Sequence, residues 1–95
     1  MPELKKFDAA EFLDTQEDVT AFLAEAFETG DASFIAKAIG TVVRARGTTE
    51  VARETGLSRE NLYRALNGET RVEFDTVMRV LGALGLELEP KQRAA

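Results

Sequence analysis

The sequence predicts an all-α fold, and three observations carry that expectation. Apolar residues recur at i, i+3, i+4 and i+7 in three separate segments, the period of a helix with one buried face. Gly30, Gly47 and Gly85 each fall just past the end of one such run, where helices stop. Between the second and third runs, Thr49 to Gly68 reads as two short helices broken at Gly56, a helix-turn-helix unit.

Taken in order, Asp8 is placed to cap a short turn through Phe12 and Leu13. Thr15 with Asp18 forms a capping pair that opens a helix to about Thr29, with Val19, Phe22, Leu23, Ala26 and Phe27 as its buried stripe. Gly30 ends it. Asp31 or Ser33 starts the next helix, whose stripe of Ile35, Ala38, Ile39, Val42 and Val43 runs until Gly47. Thr48 and Thr49 begin the short helix leading into Gly56, Ser58 caps the one after it, and Asn67-Gly68 is its stop signal. After a polar loop from Glu69 to Glu73, the last helix is expected to bury Phe74, Val77, Val80, Leu81 and Leu84, with Asp75 in its first turn. The period then changes to two at Leu86-Glu87-Leu88-Glu89, a short strand or extended tail. A lone strand needs a partner, and the same segment of a second subunit could supply it.

At 95 residues the chain is expected to be a single domain, 1–95. Within it, 1–34 is an acidic helical extension, 35–85 the helix-turn-helix core and 86–95 a strand-like tail. There are no cysteines or histidines, which removes thiolate ligands, the usual general base and the commonest nitrogen ligand. No catalytic, metal or cofactor site is expected. No apolar run reaches the roughly 20 residues that span a bilayer, and the Met1-Pro2-Glu3 start lacks signal-peptide character, so the cytoplasm is the expected location.

The net charge of −5 is unevenly spread. Residues 1–34 hold nine acids against Lys5 and Lys6, a net −7, whereas the remainder holds eight acids against ten bases, a net +2. Two surfaces with different partners follow from that polarity, one anionic and one cationic. A solvated acidic face kept for solubility is the plainer alternative.

The helix-turn-helix unit carries the sharpest expectation. Ala52 is small where two helices cross, Gly56 allows a left-handed turn, and Val51, Leu57 and Leu62 plug the interior with Ala65 and Leu66. At about 100° per residue, Glu60, Tyr63, Arg64 and Asn67 gather opposite Leu62 with Arg59 on the shoulder, leaving an outward face of groups able to contact bases and phosphates. The expected DNA-binding set is Thr48, Thr49, Ser58, Arg59, Glu60, Asn61, Tyr63, Arg64 and Asn67, the amides near Ser58 offering N–H groups to an anion. A helical bundle with a polar surface helix would give the same spacing. For a basic protein partner, the expected set is Glu11, Asp14, Glu17, Asp18, Glu25 and Glu28, with Phe7 or Phe12 as an apolar anchor.

In this order the pieces resemble the bacterial addiction-module antidote proteins with a phage-repressor-like helix-turn-helix, antitoxin partners of small ribonuclease toxins of the RelE/ParE type. The resemblance rests on the leader Asp8 to Leu13, the Gly30-Asp31 junction, Ala38-Ile39-Gly40 with Ala45-Arg46-Gly47, the unit Val51 to Leu66, and Phe74-Asp75-Thr76-Val77 through Ala83-Leu84-Gly85-Leu86. Thr48 stands where the family often has methionine, and Val72-Glu73 where it often has proline. The resemblance implies a compact five-helix domain with a short C-terminal extended segment. It further implies a homodimeric repressor that binds its own double-stranded DNA operator and neutralises a co-encoded basic toxin. Two other readings stay open at this point: a free-standing prophage-type regulator, and a protein-binding module without DNA binding.

Overall fold

A computed structural model describes residues 8–94. Among them are a 3-10 turn at Ala9–Phe12 and five α-helices: α1 (Gln16–Glu28), α2 (Ala32–Arg46), α3 (Thr48–Thr55), α4 (Arg59–Ala65) and α5 (Phe74–Ala83). No strand occurs among the described residues, and Leu86 to Glu89 forms no ladder within this chain.

The caps follow the local chemistry. Asp8 accepts a hydrogen bond from the Ala10 N–H and starts the 3-10 turn. Thr15 and Asp18 form a reciprocal capping box, the Thr15 hydroxyl accepting from the Asp18 N–H at 3.0 Å and the Asp18 carboxylate from the Thr15 N–H at 3.2 Å. Of the two residues able to open α2, Asp31 does so, accepting from the Phe34 N–H at 3.1 Å. Ser33 instead donates to the Gly68 carbonyl at 2.6 Å. At the far end of α5, Gly85 (φ 76°) lets its N–H reach the Gly82 carbonyl and the Leu86 N–H reach that of Leu81, which turns Leu86 back onto the core.

α2 is the centre of the molecule. α1 packs on one part of it, α3 and α4 on others, and α5 closes against α3. Ile39, Val42, Val51, Leu62, Val80, Leu81 and Leu84 are shielded almost completely, one cluster drawn from four helices and the cap of α5. Gln16 and Arg46 staple the ends: the Gln16 amide donates to the Leu84 carbonyl at 3.0 Å, and Arg46 donates to Gln16 Oε1 at 3.1 Å.

Phe74 departs from expectation, being 69% exposed rather than buried. It stands on the first turn of α5, about 70° from the centre of the Val77, Val80, Leu81 and Leu84 stripe, and flanks the exposed Met78.

The seat of α4 on α2 needs a close approach. A Cβ at Gly40 would lie 3.0 Å from the Leu66 carbonyl oxygen and 3.3 Å from Leu66 Cβ, whereas one at Gly82 in α5 would meet nothing within 4 Å. The two glycines should therefore respond oppositely. Gly40→Val is expected to lower stability by about 1–3 kcal/mol through overpacking, and Gly82→Ala to raise it by about 0.5–1 kcal/mol through helix propensity. Urea midpoints at unchanged m-value report both.

Candidate nucleic-acid interface

The junction of α3 and α4 is built from its backbone outward. Gly56 adopts φ 76° and ψ 8°, the left-handed conformation expected of it, and its N–H donates to the Ala52 carbonyl at 3.0 Å. Thr55 is buried at 9% exposure; its hydroxyl donates to the Val51 carbonyl at 2.8 Å and accepts from the Leu57 N–H at 3.2 Å. The turn is thus closed from two sides. Ser58 is extended, and its hydroxyl accepts from the Asn61 N–H at 3.0 Å to start α4. Thr55 was not among the residues singled out above, although a threonine directly before a turn glycine is the signal that could have found it.

On α4, Leu62 and Leu66 point into the core at 1% and 6% exposure, and Ala65 is half-buried beside them. Arg59, Glu60, Tyr63 and Arg64 are all exposed, Tyr63 at 78%. These four line an open groove of about 850 Å³ together with Arg44 of α2, Thr48 of α3 and Asn67. A second depression, about 390 Å³, adds Lys37, Gly40 and Thr41 and shares Arg44, Thr48, Tyr63 and Asn67 with the first. The surface is therefore one continuous channel between α2 and α4, with guanidinium groups on both sides.

The expected set divides when placed on this surface. Thr48, Arg59, Glu60, Tyr63, Arg64 and Asn67 come together around the groove. Thr49 and Asn61 are exposed but do not line it, and the Ser58 hydroxyl is committed to its cap. Asn67 is not on the helix at all, because α4 ends at Ala65 with Leu66 as its cap. Its side chain accepts from the Glu69 N–H at 2.8 Å, and Gly68 (φ 80°) passes close beneath Lys37, which bends the chain out of helical geometry.

Charge on this surface is unevenly engaged. No ion pair among the described residues involves Arg59 or Arg64. On α3, Arg53 is hydrogen-bonded to Glu50; the guanidinium holds that carboxyl below its usual range, and the carboxylate in turn raises Arg53. Arg44 is held by Asp8, at 2.9 Å and 3.3 Å from its two terminal nitrogens. Nothing local in the sequence links residues so far apart along the chain.

The acidic set lies elsewhere. Glu11, Asp14, Glu17, Asp18, Glu25 and Glu28 are all exposed, and the four on α1 occupy the face opposite Val19, Leu23 and Ala26. Phe12 is 61% exposed, and Phe7 lies outside the described residues. Phe22 and Phe27 are half-buried against the core, the role expected of them. No cluster of acidic residues suited to a metal ion and no helix long and apolar enough to cross a membrane occurs among the described residues.

Five helices with α2 at their centre, the short α4 presenting its polar face to solvent, describe a small all-helical protein among the described residues. Residues 3–92 match the family described as probable addiction module antidote protein, and the chain belongs to that family. It is also similar to an uncharacterized protein of Haemophilus influenzae (strain ATCC 51907 / DSM 11121 / KW20 / Rd), with 40% identity over 90 residues, covering 95% of this chain and 93% of the relative. No solved structure matches it.

Because the Thr55 hydroxyl serves the turn from both sides, Thr55→Val should cost about 1–3 kcal/mol by leaving the Leu57 N–H unpaired. Thr55→Ser should cost less. Urea titration followed by circular dichroism distinguishes the pair.

Proposed function

We propose that this antidote is a DNA-binding repressor that recognises its own operator through α4 and neutralises a co-encoded basic toxin of the RelE/ParE type. One observation carries the DNA-binding half: the outward face of α4 is a row of exposed Arg59, Glu60, Tyr63 and Arg64, with both arginines outside any ion pair among the described residues. A short helix capped by Ser58 and preceded by the Gly56 turn supports a phage-repressor-like reading helix, a class that enters the major groove N-terminus first. Arg59, near that end, is then the base-reading residue, and Arg64 a phosphate contact. Thr48, Thr49, Ser58, Glu60, Asn61, Tyr63 and Asn67 complete the proposed interface, some through side chains and others through backbone groups.

Membership of an antidote family supports the second half. A toxin that acts on RNA must itself be positive, and the acidic face of α1 with Glu11, Asp14 and Phe12 is complementary to such a protein. Homodimerisation follows from the DNA-binding reading, since a single short helix covers one half-site and paired half-sites supply specificity. Its proposed seam is the outer face of α5 and the tail, where Phe74, Met78 and Leu88 expose apolar surface.

Three outcomes are expected, and the first tests the reading itself. In a mobility-shift assay on the duplex upstream of its own gene, the wild-type chain binds. Arg59→Ala then costs about 1–3 kcal/mol and relaxes preference at one base position, while Arg64→Ala weakens all sequences and lowers the salt slope. Unchanged affinity in the double variant, with helicity intact, would refute the DNA-binding reading. Second, replacing Glu17, Glu25 and Glu28 by Lys should slow association with the neighbouring basic gene product by tenfold or more, roughly the electrostatic steering it removes, yet leave the fold in place. Third, Met78→Lys with Leu88→Lys should shift sedimentation toward monomer and weaken operator binding; a monomeric wild type, unaltered by operator DNA, would exclude the dimer.

A further inference from the structure

Arg44 occupies a position that the reading-helix argument leaves unused. It stands in the last turn of α2 and lines both depressions of the channel, facing Tyr63 and Asn67 across it. Each of its two terminal nitrogens donates one hydrogen bond to Asp8, in a two-point pair at 2.9 Å and 3.3 Å. Asp8 in turn starts the 3-10 turn of the acidic leader, which packs on α2. Arg46, two residues on, is different in kind, since Gln16 and the Ala83 carbonyl hold it as part of the staple between helices.

We infer that Arg44 is a further phosphate-binding residue of the DNA-facing surface, and that Asp8 holds it in reserve as an autoinhibitory contact. The inference rests on the DNA-binding reading proposed above. A guanidinium fork fits a phosphate as well as a carboxylate, so the two anions compete for one site. With side-chain exposures of 55% for Arg44 and 40% for Asp8, the pair is weak enough to exchange in water. A backbone phosphate that takes the same edge of the Arg44 fork beside α4 displaces Asp8, and the leader then loses its ion pair to α2 while its packing there remains. The same exchange couples the two surfaces. A basic partner that draws Asp8 to itself frees Arg44 for DNA, and by reciprocity bound DNA frees the leader for the partner.

The test is a two-residue cycle in the full chain. Asp8→Asn is the informative variant because asparagine keeps one side-chain oxygen to cap the Ala10 N–H, while it removes the charge and turns the second oxygen, an acceptor for Arg44, into an NH2 donor. Affinity is read by fluorescence anisotropy, across a salt series, for the upstream duplex and for a scrambled duplex of equal length. Asp8→Asn is expected to tighten both by about two- to five-fold, the weight of an exposed ion pair, and to steepen the salt dependence by about one phosphate contact. Arg44→Gln weakens both duplexes, and adding Asp8→Asn to it restores nothing. An equal gain from Asp8→Asn in the Arg44→Gln background would reduce the effect to removal of one negative charge and overturn the inference, as would no gain at all. If the wild type binds the upstream duplex through Arg59 and Arg64 while the cycle is additive, the latch alone fails; if the wild type binds neither duplex, the DNA-binding reading fails with it.

Discussion

A seven-residue helix cannot hold itself together in water, and α4 is seven residues long. Its existence and its aim depend on burying Leu62 and Leu66 against α2, where Gly40 lets the Leu66 backbone come within contact of the α2 axis. The turn before it is fixed by the Thr55 hydroxyl, bonded to the backbone on both sides, and by the Gly56 N–H on the Ala52 carbonyl, and the cap by Ser58. With one face held this firmly, the other is necessarily presented to solvent. The polar face of α4 is therefore a consequence of packing as much as of composition.

That constraint makes α2 the common support of two chemically opposite surfaces. α1 lays its apolar stripe on α2 and turns Glu17, Asp18, Glu25 and Glu28 outward, while α4 lays Leu62 and Leu66 on α2 and turns Arg59 and Arg64 outward. Gln16 and Arg46 tie the first of these helices to the ends of α2 and α5, so the acidic face is positioned by hydrogen bonds as well as by apolar burial. Neither surface could be repacked without loosening the shared core of Ile39, Val42 and Leu62.

Asp8 and Arg44 are the point at which the two surfaces touch. The leader supplies the anion and α2 the cation, and the cation stands at the rim of the channel beside α4. An exposed pair of this kind adds little to stability. Its placement gives it significance, because each member belongs to a different surface.

Much of the fold was legible in the sequence because its signals are local. The 3.6-residue stripes, the Thr15–Asp18 capping box, the Asp8 cap, the helix ends at Gly30 and Gly85 and the left-handed turn at Gly56 each depend on residues a few positions apart, and each stands where the spacing placed it. The inward residues of α4 and its exposed arginines followed from the same period. Tertiary structure decided what spacing could not. It exposed Phe74 at the rim of its helix, ended α4 two residues before Asn67, turned Leu86 back onto the core, and joined Asp8 to Arg44 and Gln16 to Leu84. Helical period determines which side chains share a face, but which face finds a neighbour, and which distant charges meet, is set only when the helices pack.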